Sequence, residues 1–364
     1  MQTVQSNVPR IIDLAGRIED DIRARGLRPG DAYFPTAEVA QMLGVGTVAA
    51  NRALQLLAKR RLLSRRQGRG AVVAEGIMTE QKSSLGAVHF LVHQEYLRKE
   101  GLLADGVIVG LQGILPGLDV QMNFLRAGAE AEVVERVIAA ALRSGGPEGF
   151  VLVRAPLAVQ RAVQASGLPA VVYGTLYPSV QGLPWIDRDH RRAARLLVEY
   201  FLARGHERIL YLARERMLPG DHPFEDALAE RLGEAGLPSG ALMARRLPPD
   251  QNAVEAEVRV LLEGTEGVYP AILGQTELLA EGAGAAVESL GLTVGNEVAV
   301  AVSTVYRARG RGPVRYPYIR NNVSPEEIGD HLGRMLLRQL RGQHWKPDHE
   351  IVPVSLVEPA ANEP

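Results

Sequence analysis

One segment near the N-terminus most constrains the fold of this 364-residue chain. Residues 36–43 place apolar side chains at helical spacing, residues 44–45 provide a sharp Gly-Val turn, and a second helical segment covers about residues 46–60. Two short runs rich in β-formers and arginine follow, joined by a Gln-Gly-Arg-Gly turn at residues 67–70. Helix, tight turn, helix and basic hairpin in this order are typical of a winged helix-turn-helix, which the sequence therefore predicts for residues 1–75.

Positive charge is concentrated in the same region. Residues 1–75 contain 12 Lys and Arg against 7 Asp and Glu, whereas the rest of the chain contains 29 against 35, so a basic N-terminal part precedes an acidic remainder. Taken alone, the Lys59-Arg60-Arg61 run is equally well interpreted as a solvated helix face. Six cations between residues 59 and 69, next to the predicted turn and hairpin, instead indicate a surface for the phosphates of double-stranded DNA.

Residues 10–75 resemble the DNA-binding domain of the GntR family of bacterial transcription regulators. The resemblance rests on the sequences GLRPGD at residues 26–31, FPT at 34–36, LGVG at 43–46 and GRGAVV at 68–73. The chain departs from the family pattern at Gly46-Thr47, which replaces the usual Ser-Arg, and after Pro35, where one residue and an Arg are missing. The resemblance therefore implies a DNA-binding regulator whose base contacts differ from those of typical members.

Small polar residues at the start of the second helix would let it approach base edges closely in a major groove. We expect Thr36, the predicted N-cap of the first helix, and the wing arginines to contact phosphates, which demand less specific chemistry than bases. The predicted DNA-contacting residues are Thr36, Thr47, Asn51, Arg52, Lys59, Arg65, Arg66 and Arg69.

From Leu85 onward, short β-rich runs alternate with amphipathic helical segments. This alternation predicts parallel α/β sheets with helices on both faces, and about ten strands over a region of this length fit two doubly wound lobes better than one. The polar residues 76–84 are the predicted linker, and residues 85–364 are the predicted effector-binding and dimerisation domain. The predicted strands are residues 86–93, 119–124, 149–154, 170–173, 208–212, 241–246, 267–273, 298–302, 318–320 and 351–357.

This second region resembles the sensor domain of the LacI/GalR family, which is itself similar to periplasmic sugar-binding proteins. The resemblance implies a two-lobed, doubly wound parallel α/β domain of the periplasmic-binding-protein type, with a small-molecule effector in the cleft between the lobes. The motifs that carry it are IDRD at residues 186–189 with RGHERI at 204–209, FEDAL at 224–228 with AGL at 235–237, GLTVGNEVAV at 291–300 and IVPVSLV at 351–357.

Three polar anchors of the sugar-binding members of that family are changed in this chain. Gly220 replaces an Arg, Gln275-Thr276 replaces an Asn-Asp pair, and Ser303-Thr304 replaces a pair of aspartates. A bidentate Arg and paired carboxylates are what the vicinal hydroxyls of a polyol need. We therefore expect an effector that is not an ordinary sugar, or a cleft that has lost its ligand.

Ligands of open α/β sheets bind beyond the carboxyl ends of the strands, and this rule selects the candidate effector-binding residues. For any single residue, a solvated loop or a packing contact is the alternative interpretation. The predicted effector-binding residues are His93, Glu95, Arg154, Tyr173, Asp187, Arg214, Gln275 and Thr304, and the further candidates are Gln94, Arg188, Arg216, Tyr306 and Arg307.

The sequence predicts a homodimeric transcription regulator, acting as a repressor, whose affinity for operator DNA responds to a small molecule in the cleft. A ligand-independent, architectural dimeric DNA-binding protein is the alternative. An enzyme is not favoured, because the chain has no cysteine, Gly-x-Ser-x-Gly motif, Walker loop or His-rich metal spacing; we expect no cofactor or metal. The sequence also lacks an apolar signal core and any apolar run of 18 residues, which predicts a cytoplasmic protein with no membrane partner.

Overall fold

The computed structural model divides the chain into two units, residues 1–84 and residues 85–364. The predicted linker at residues 76–84 lies outside the described residues. The described residues are 11–59, 62–65, 71–74, 85–93, 105–115, 117–144, 146–265, 268–305, 313–340 and 349–359.

The N-terminal unit packs helices against a small antiparallel sheet with the strand order β1-β3-β2. Its described elements are α1 (Ile11–Ala24), β1 (Ala32–Tyr33), α2 (Thr36–Leu43), α3 (Thr47–Lys59), β2 (Leu63–Arg65) and β3 (Ala71–Val73). Apolar side chains from all of these elements form a single buried core. The predicted winged helix-turn-helix is confirmed.

The turn between α2 and α3 is tight because Gly44 adopts a left-handed conformation with φ of 67°, which side chains rarely tolerate. The backbone N–H of Val45 then donates to the carbonyl oxygen of Ala40 at 3.0 Å. The predicted N-cap role of Thr36 is wrong. Pro35 occupies the N-cap position without a side-chain cap, and Thr36 is the first residue of the helix.

The first lobe of the second unit, lobe 1, is a six-stranded sheet in which every neighbouring pair is parallel, with the order β14-β8-β7-β6-β4-β5. Buried apolar clusters cover both of its faces. Its elements are β4 (Ala87–His93), α4 (Asp105–Ile114), β5 (Asp119–Leu125), α5 (Glu130–Arg143), β6 (Glu148–Val153), α6 (Leu157–Ser166), β7 (Ala170–Tyr173), β8 (Trp185–Arg188), α11 (Pro325–Leu340) and β14 (His349–Val352).

Lobe 2 is a second six-stranded sheet with the order β10-β9-β11-β12-β13-β15. Its neighbouring strands are parallel except for the edge pair β13 and β15, which is antiparallel. The predicted doubly wound, mainly parallel α/β fold is confirmed. The elements of lobe 2 are α7 (His190–Leu202), β9 (Ile209–Arg214), α8 (Asp221–Glu234), β10 (Leu242–Leu247), α9 (Gln251–Glu263), β11 (Ala271–Thr276), α10 (Glu277–Ser289), β12 (Val300–Thr304), β13 (Tyr318–Asn321) and β15 (Val354–Val357).

The described chain passes between the two lobes from β8 to α7, from β13 to α11, and from β14 to β15. The single strand predicted over residues 351–357 is wrong, because Pro353 has no N–H to continue a ladder and the chain changes sheets there. The backbone N–H of Asp189 donates to Val352 O at 2.9 Å, and that of Asn322 donates to Pro353 O at 2.8 Å. These bonds hold the three crossings side by side.

Helices α4 and α11 approach each other closely on one face of lobe 1. An ideal Cβ at Gly110 would lie 1.8 Å from the carbonyl oxygen of Glu326, and one at Gly329 would lie 2.1 Å from the carbonyl oxygen of Val107. No side chain fits at either position without a backbone shift. The glycines therefore set the distance at which the two helices cover the sheet.

We expect Gly110→Ala to destabilise the protein by about 1–3 kcal/mol, because the added methyl group overlaps a backbone carbonyl. Gly113→Ala, on the same helix, is the matched control because an ideal Cβ there meets nothing within 4 Å. The control should be neutral or more stable by up to about 1 kcal/mol. Urea denaturation measures both, and a Gly110→Ala variant as stable as the control would contradict this packing.

Candidate DNA-binding surface and interlobe cleft

The outer face of α3 is exposed and combines short polar side chains with one apolar group. Thr47, Val48, Arg52 and Gln55 are exposed and Asn51 is half-buried, whereas Ala50, Ala53, Leu54 and Leu57 are buried in the core. The predicted contacts omit Val48, which is 67% exposed. The sequence could have shown this, because Val48 does not share the helical spacing of the core residues of α3. A major groove offers both polar base edges and thymine methyl groups, so this face has groups for both.

The structure places the other predicted DNA contacts only in part. Thr36 is half-buried at the start of α2, Lys59 is the last residue of α3, and Arg65 is the last residue of β2. The N–H of Leu62 donates to the carbonyl oxygen of Leu57 at 3.0 Å, which ties the end of α3 to the start of the hairpin. Arg66 and Arg69 lie outside the described residues.

A cleft lies between the carboxyl ends of β6, β7 and β8 in lobe 1 and those of β9 and β12 in lobe 2. Its cavity measures about 50 Å³, which is space for a few water molecules. Polar and charged groups line it from both lobes. These are Arg154, Tyr173, Thr175, Asp187, Arg188, His190, Arg214, Asp221 and Thr304.

Five of the predicted effector-binding residues thus meet in the described lining of this cleft: Arg154, Tyr173, Asp187, Arg214 and Thr304. Gln275 lies behind them in β11, and the imidazole Nε2 of the buried His93 lies 3.4 Å from Glu130 Oε1. The further candidate Arg216 lies 4.0 Å from the same Glu130 oxygen. Glu95, together with Gln94, Tyr306 and Arg307, lies outside the described residues.

Asp187 is the hydrogen-bonding centre of the lobe 1 side. Its carboxylate accepts from the Thr175 hydroxyl at 2.6 Å and from the Arg188 backbone N–H at 2.8 Å, and it pairs with His190 Nε2 at 2.8 Å. Burial alone would raise the pKa of Asp187, but the charge and hydrogen bond of His190, with the other two donors, outweigh it and lower the pKa. The carboxylate is therefore ionised at neutral pH. Burial also raises the pKa of the neighbouring Tyr173 hydroxyl to about 12.

Asp221 plays the same part on the lobe 2 side, at the start of α8. It accepts from Arg214 Nη2 at 3.0 Å, from Leu218 N–H at 2.8 Å and from Gln275 Nε2 at 2.6 Å. The carbonyl oxygen of the Gln275 side chain accepts in turn from the Arg214 N–H at 2.8 Å. The predicted residues omit Asp221, for which the only sequence signal is an acidic residue in the first turn of a helix.

Arg188 connects the two lobes. Its guanidinium donates from Nη2 to Ser303 Oγ at 2.9 Å and from Nη1 to the Ser303 carbonyl oxygen, and Ser303 lies in β12 of lobe 2. Burial lowers the pKa of Arg188 to about 10. Neighbouring guanidinium groups lower this pKa further, whereas neighbouring carboxylates raise it. The side chain is thus a half-buried cation that bonds one lobe to the other.

The glycine at position 220 has a steric reason. An ideal Cβ at Gly220 would lie 2.3 Å from Nε2 of His190, so any side chain there would have to displace the imidazole that pairs with Asp187. The absence of a side chain at position 220 leaves the space that the imidazole of His190 occupies. His190 is a second cleft residue absent from the predicted set.

Two absences hold for the part of the chain that the structure describes. None of its helices is both long and apolar enough to cross a membrane. No group of three or more His, Asp or Glu side chains there is arranged to hold a metal ion.

Two family models match the sequence. The model of bacterial regulatory proteins of the gntR family matches residues 12–73, and that of the periplasmic binding protein-like domain matches residues 198–359. The chain has no match among the curated proteins.

Solved structures of similar fold include LacI-family regulators. A regulatory protein of the LacI family from Chloroflexus aggregans is 20% identical with a TM-score of 0.61, covering 75% of this chain and 97% of that one. The transcriptional regulator CelR in complex with cellobiose is 17% identical with a TM-score of 0.60, covering 96% and 98%. The lac repressor dimer bound to operator and the anti-inducer ONPF is 19% identical with a TM-score of 0.60, covering 77% and 96%.

We expect Asp187→Asn to cost about 1.5–3 kcal/mol of stability at pH 7, because it removes an ionised acceptor from three donors. Since the pKa of Asp187 is lowered in the folded state, its contribution is complete above the unfolded value of about 3.9 and is lost as the pH falls through the lower folded value. The difference from wild type should therefore shrink below about pH 4.

Denaturant unfolding at several pH values measures this difference. Asp189→Asn is the control, because Asp189 caps α7 by accepting from Arg192 N–H and an asparagine caps a helix as well. A cost at position 187 that is equal at pH 3 and pH 7 would show that the charge of Asp187 is not what stabilises the cleft.

Proposed function

We propose that a small molecule bound in the interlobe cleft controls the affinity of this DNA-binding transcription regulator for operator DNA. The chain joins a gntR-family winged helix to a LacI-type, periplasmic binding protein-like sensor domain. We further propose that it acts as a repressor. The observation that carries the proposal is the cleft itself, in which charged side chains from both lobes meet beside the three chain crossings.

The cleft supports control by a ligand because its closed form depends on contacts that a ligand would replace. Arg188 donates across the lobes to Ser303, and any molecule that enters between them competes for the same guanidinium. A ligand that binds the closed and open arrangements with different affinity shifts their populations by that difference.

We propose that DNA binding uses α3 in the major groove and the arginines of the hairpin on the phosphates. Thr47, Asn51 and Arg52 lie with Val48 on the non-core side of α3. A single domain of this size covers little DNA, so we infer that the protein binds as a homodimer on paired half-sites. A regulator that binds chromosomal DNA works in the cytoplasm, and no catalytic role is part of this proposal.

The second candidate function is a dimeric DNA-binding protein that needs no effector. The small cavity and the exchange of three sugar-binding anchors, at Gly220, Gln275-Thr276 and Ser303-Thr304, favour it. The two functions differ in one respect: an architectural protein binds DNA equally well whatever the state of its cleft.

We expect binding to double-stranded genomic fragments to weaken steeply with salt, since each neutralised phosphate contributes about 0.9 to the slope of log K against log salt. The double variant Arg65→Ala/Arg66→Ala should flatten that slope by about 2 units if both side chains contact phosphates. Arg259→Ala, on α9 of the second unit, is the control and should leave the slope unchanged. Fluorescence anisotropy measures the slopes, and an unaltered slope in the double variant would remove the hairpin from the DNA contacts.

A further inference from the structure

We infer that the cleft takes an anionic small molecule, whose carboxylate or phosphate group is bound by the guanidinium groups of Arg154, Arg188 and Arg214. This inference rests on the proposed function, because it names the chemical class of the effector. It follows from the charges of the described lining residues, from the partners of the two carboxylates there, and from the backbone of Arg154.

Both carboxylates of the described lining already have protein donors. Asp187 accepts from the Thr175 hydroxyl and the Arg188 N–H and pairs with His190, and Asp221 accepts from Arg214, Gln275 and the Leu218 N–H. A neutral polyol is usually held by carboxylates that accept from its hydroxyl groups. Here three of the about four acceptor positions of each carboxylate are used within the protein, which disfavours a neutral sugar.

Positive charge is in excess along the same lining. The described lining contains three guanidinium groups, those of Arg154, Arg188 and Arg214, but only two carboxylates. The imidazole of His190 also lies in this lining and pairs with one of them, Asp187. Arginine forks bind carboxylate and phosphate groups with paired, charge-assisted hydrogen bonds. An anion that entered would reduce the repulsion among these cations, whereas a neutral ligand would leave it.

Arg154 has a backbone conformation that residues other than glycine rarely adopt. Its φ is 47°, which makes it the one residue other than glycine with a positive φ among the described residues. Its N–H donates to the Tyr173 carbonyl oxygen at 3.1 Å, which keeps it at the end of β6 where the cleft begins. Strain of this kind is retained at ligand-binding sites more than elsewhere, and here it positions a cation.

The helix ends around the cleft have the same polarity. Helices α6, α7 and α8 begin directly after strands that end at the cavity, and Ala155, His190 and Asp221 at or beside those beginnings line it. Carboxylates of Asp189 and Asp221 already lie at the beginnings of α7 and α8, so the positive end of α6, which has no side-chain cap, is the one that adds to the field of the guanidinium groups. Charge, hydrogen-bond capacity and backbone orientation all favour an anion.

The test is thermal denaturation of the full chain with inorganic phosphate and with malonate, each against sodium chloride of equal ionic strength. We expect at least one of the two anions to raise the melting temperature of wild type saturably. Arg154→Gln should weaken the apparent affinity at least tenfold, and Arg154→Lys should restore part of it. Arg259→Gln, on α9, is the matched control and should behave as wild type, whereas Arg66→Gln reports whether the anion binds at the DNA-binding unit instead.

The two anions separate the possible sources of the charge, because a preference for malonate indicates a carboxylate effector and a preference for phosphate indicates a phosphorylated one. The inference is overturned if neither anion stabilises the protein, or if the effect survives Arg154→Gln and is lost in Arg66→Gln. If glucose or galactose stabilises the protein and alters operator affinity while the anions do not, the proposed function stands and this inference fails. If an anion binds through Arg154 without altering operator affinity, the inference stands and effector control of DNA binding fails.

Discussion

Two adjacent residues of opposite charge, Asp187 and Arg188, decide how the lobes of the sensor domain meet. Both are at the end of β8, where the chain first leaves lobe 1. The carboxylate of Asp187 pairs with His190 and accepts from the Thr175 hydroxyl in its own lobe, and the guanidinium of Arg188 extends to Ser303 in the other lobe. Moving the lobes apart breaks the bonds from Arg188 to Ser303 and exposes the guanidinium to water, so this contact favours the arrangement of the lobes seen here.

This constraint links the changes in the cleft to one another. His190 pairs with Asp187 and occupies the space that a side chain at position 220 would need, and Gln275 and Arg214 both bond to Asp221. The residues that depart from the sugar-binding pattern therefore belong to internal networks rather than being isolated losses. The described lining of the cleft therefore combines guanidinium groups with carboxylates that already accept from protein donors.

Local signals explain how much of the fold could be predicted from the sequence. The winged helix depends on Gly44 at a left-handed turn and on helical periodicity on either side of it, both of which are visible within a few residues. The alternation of strands and helices likewise predicted two parallel sheets. Two predicted strand ends are wrong, because β11 and β12 extend to Thr276 and Thr304, so Gln275 and Thr304 lie within strands rather than after them.

The site could be predicted only in part, because its decisive contacts join residues far apart in the chain. Asp221 and Gln275 are 54 residues apart, and Arg188 and Ser303 are 115 apart, which no local pattern reveals. The change of sheet at Pro353 also depends on a partner strand and is not encoded in the apolar run itself. Gly220 was visible as a departure, but its cause, the imidazole of His190, required the structure.

The central claim is that the state of the cleft controls DNA binding, and Arg188 offers the most direct test. Arg188→Met removes the bond between the lobes while keeping most of the side-chain volume, and operator affinity is measured by anisotropy on a fragment selected from genomic DNA. Coupling of the usual size predicts a change in affinity of about fivefold or more relative to wild type and to the control Arg259→Met. A folded Arg188→Met protein that binds the fragment as wild type does would contradict the account.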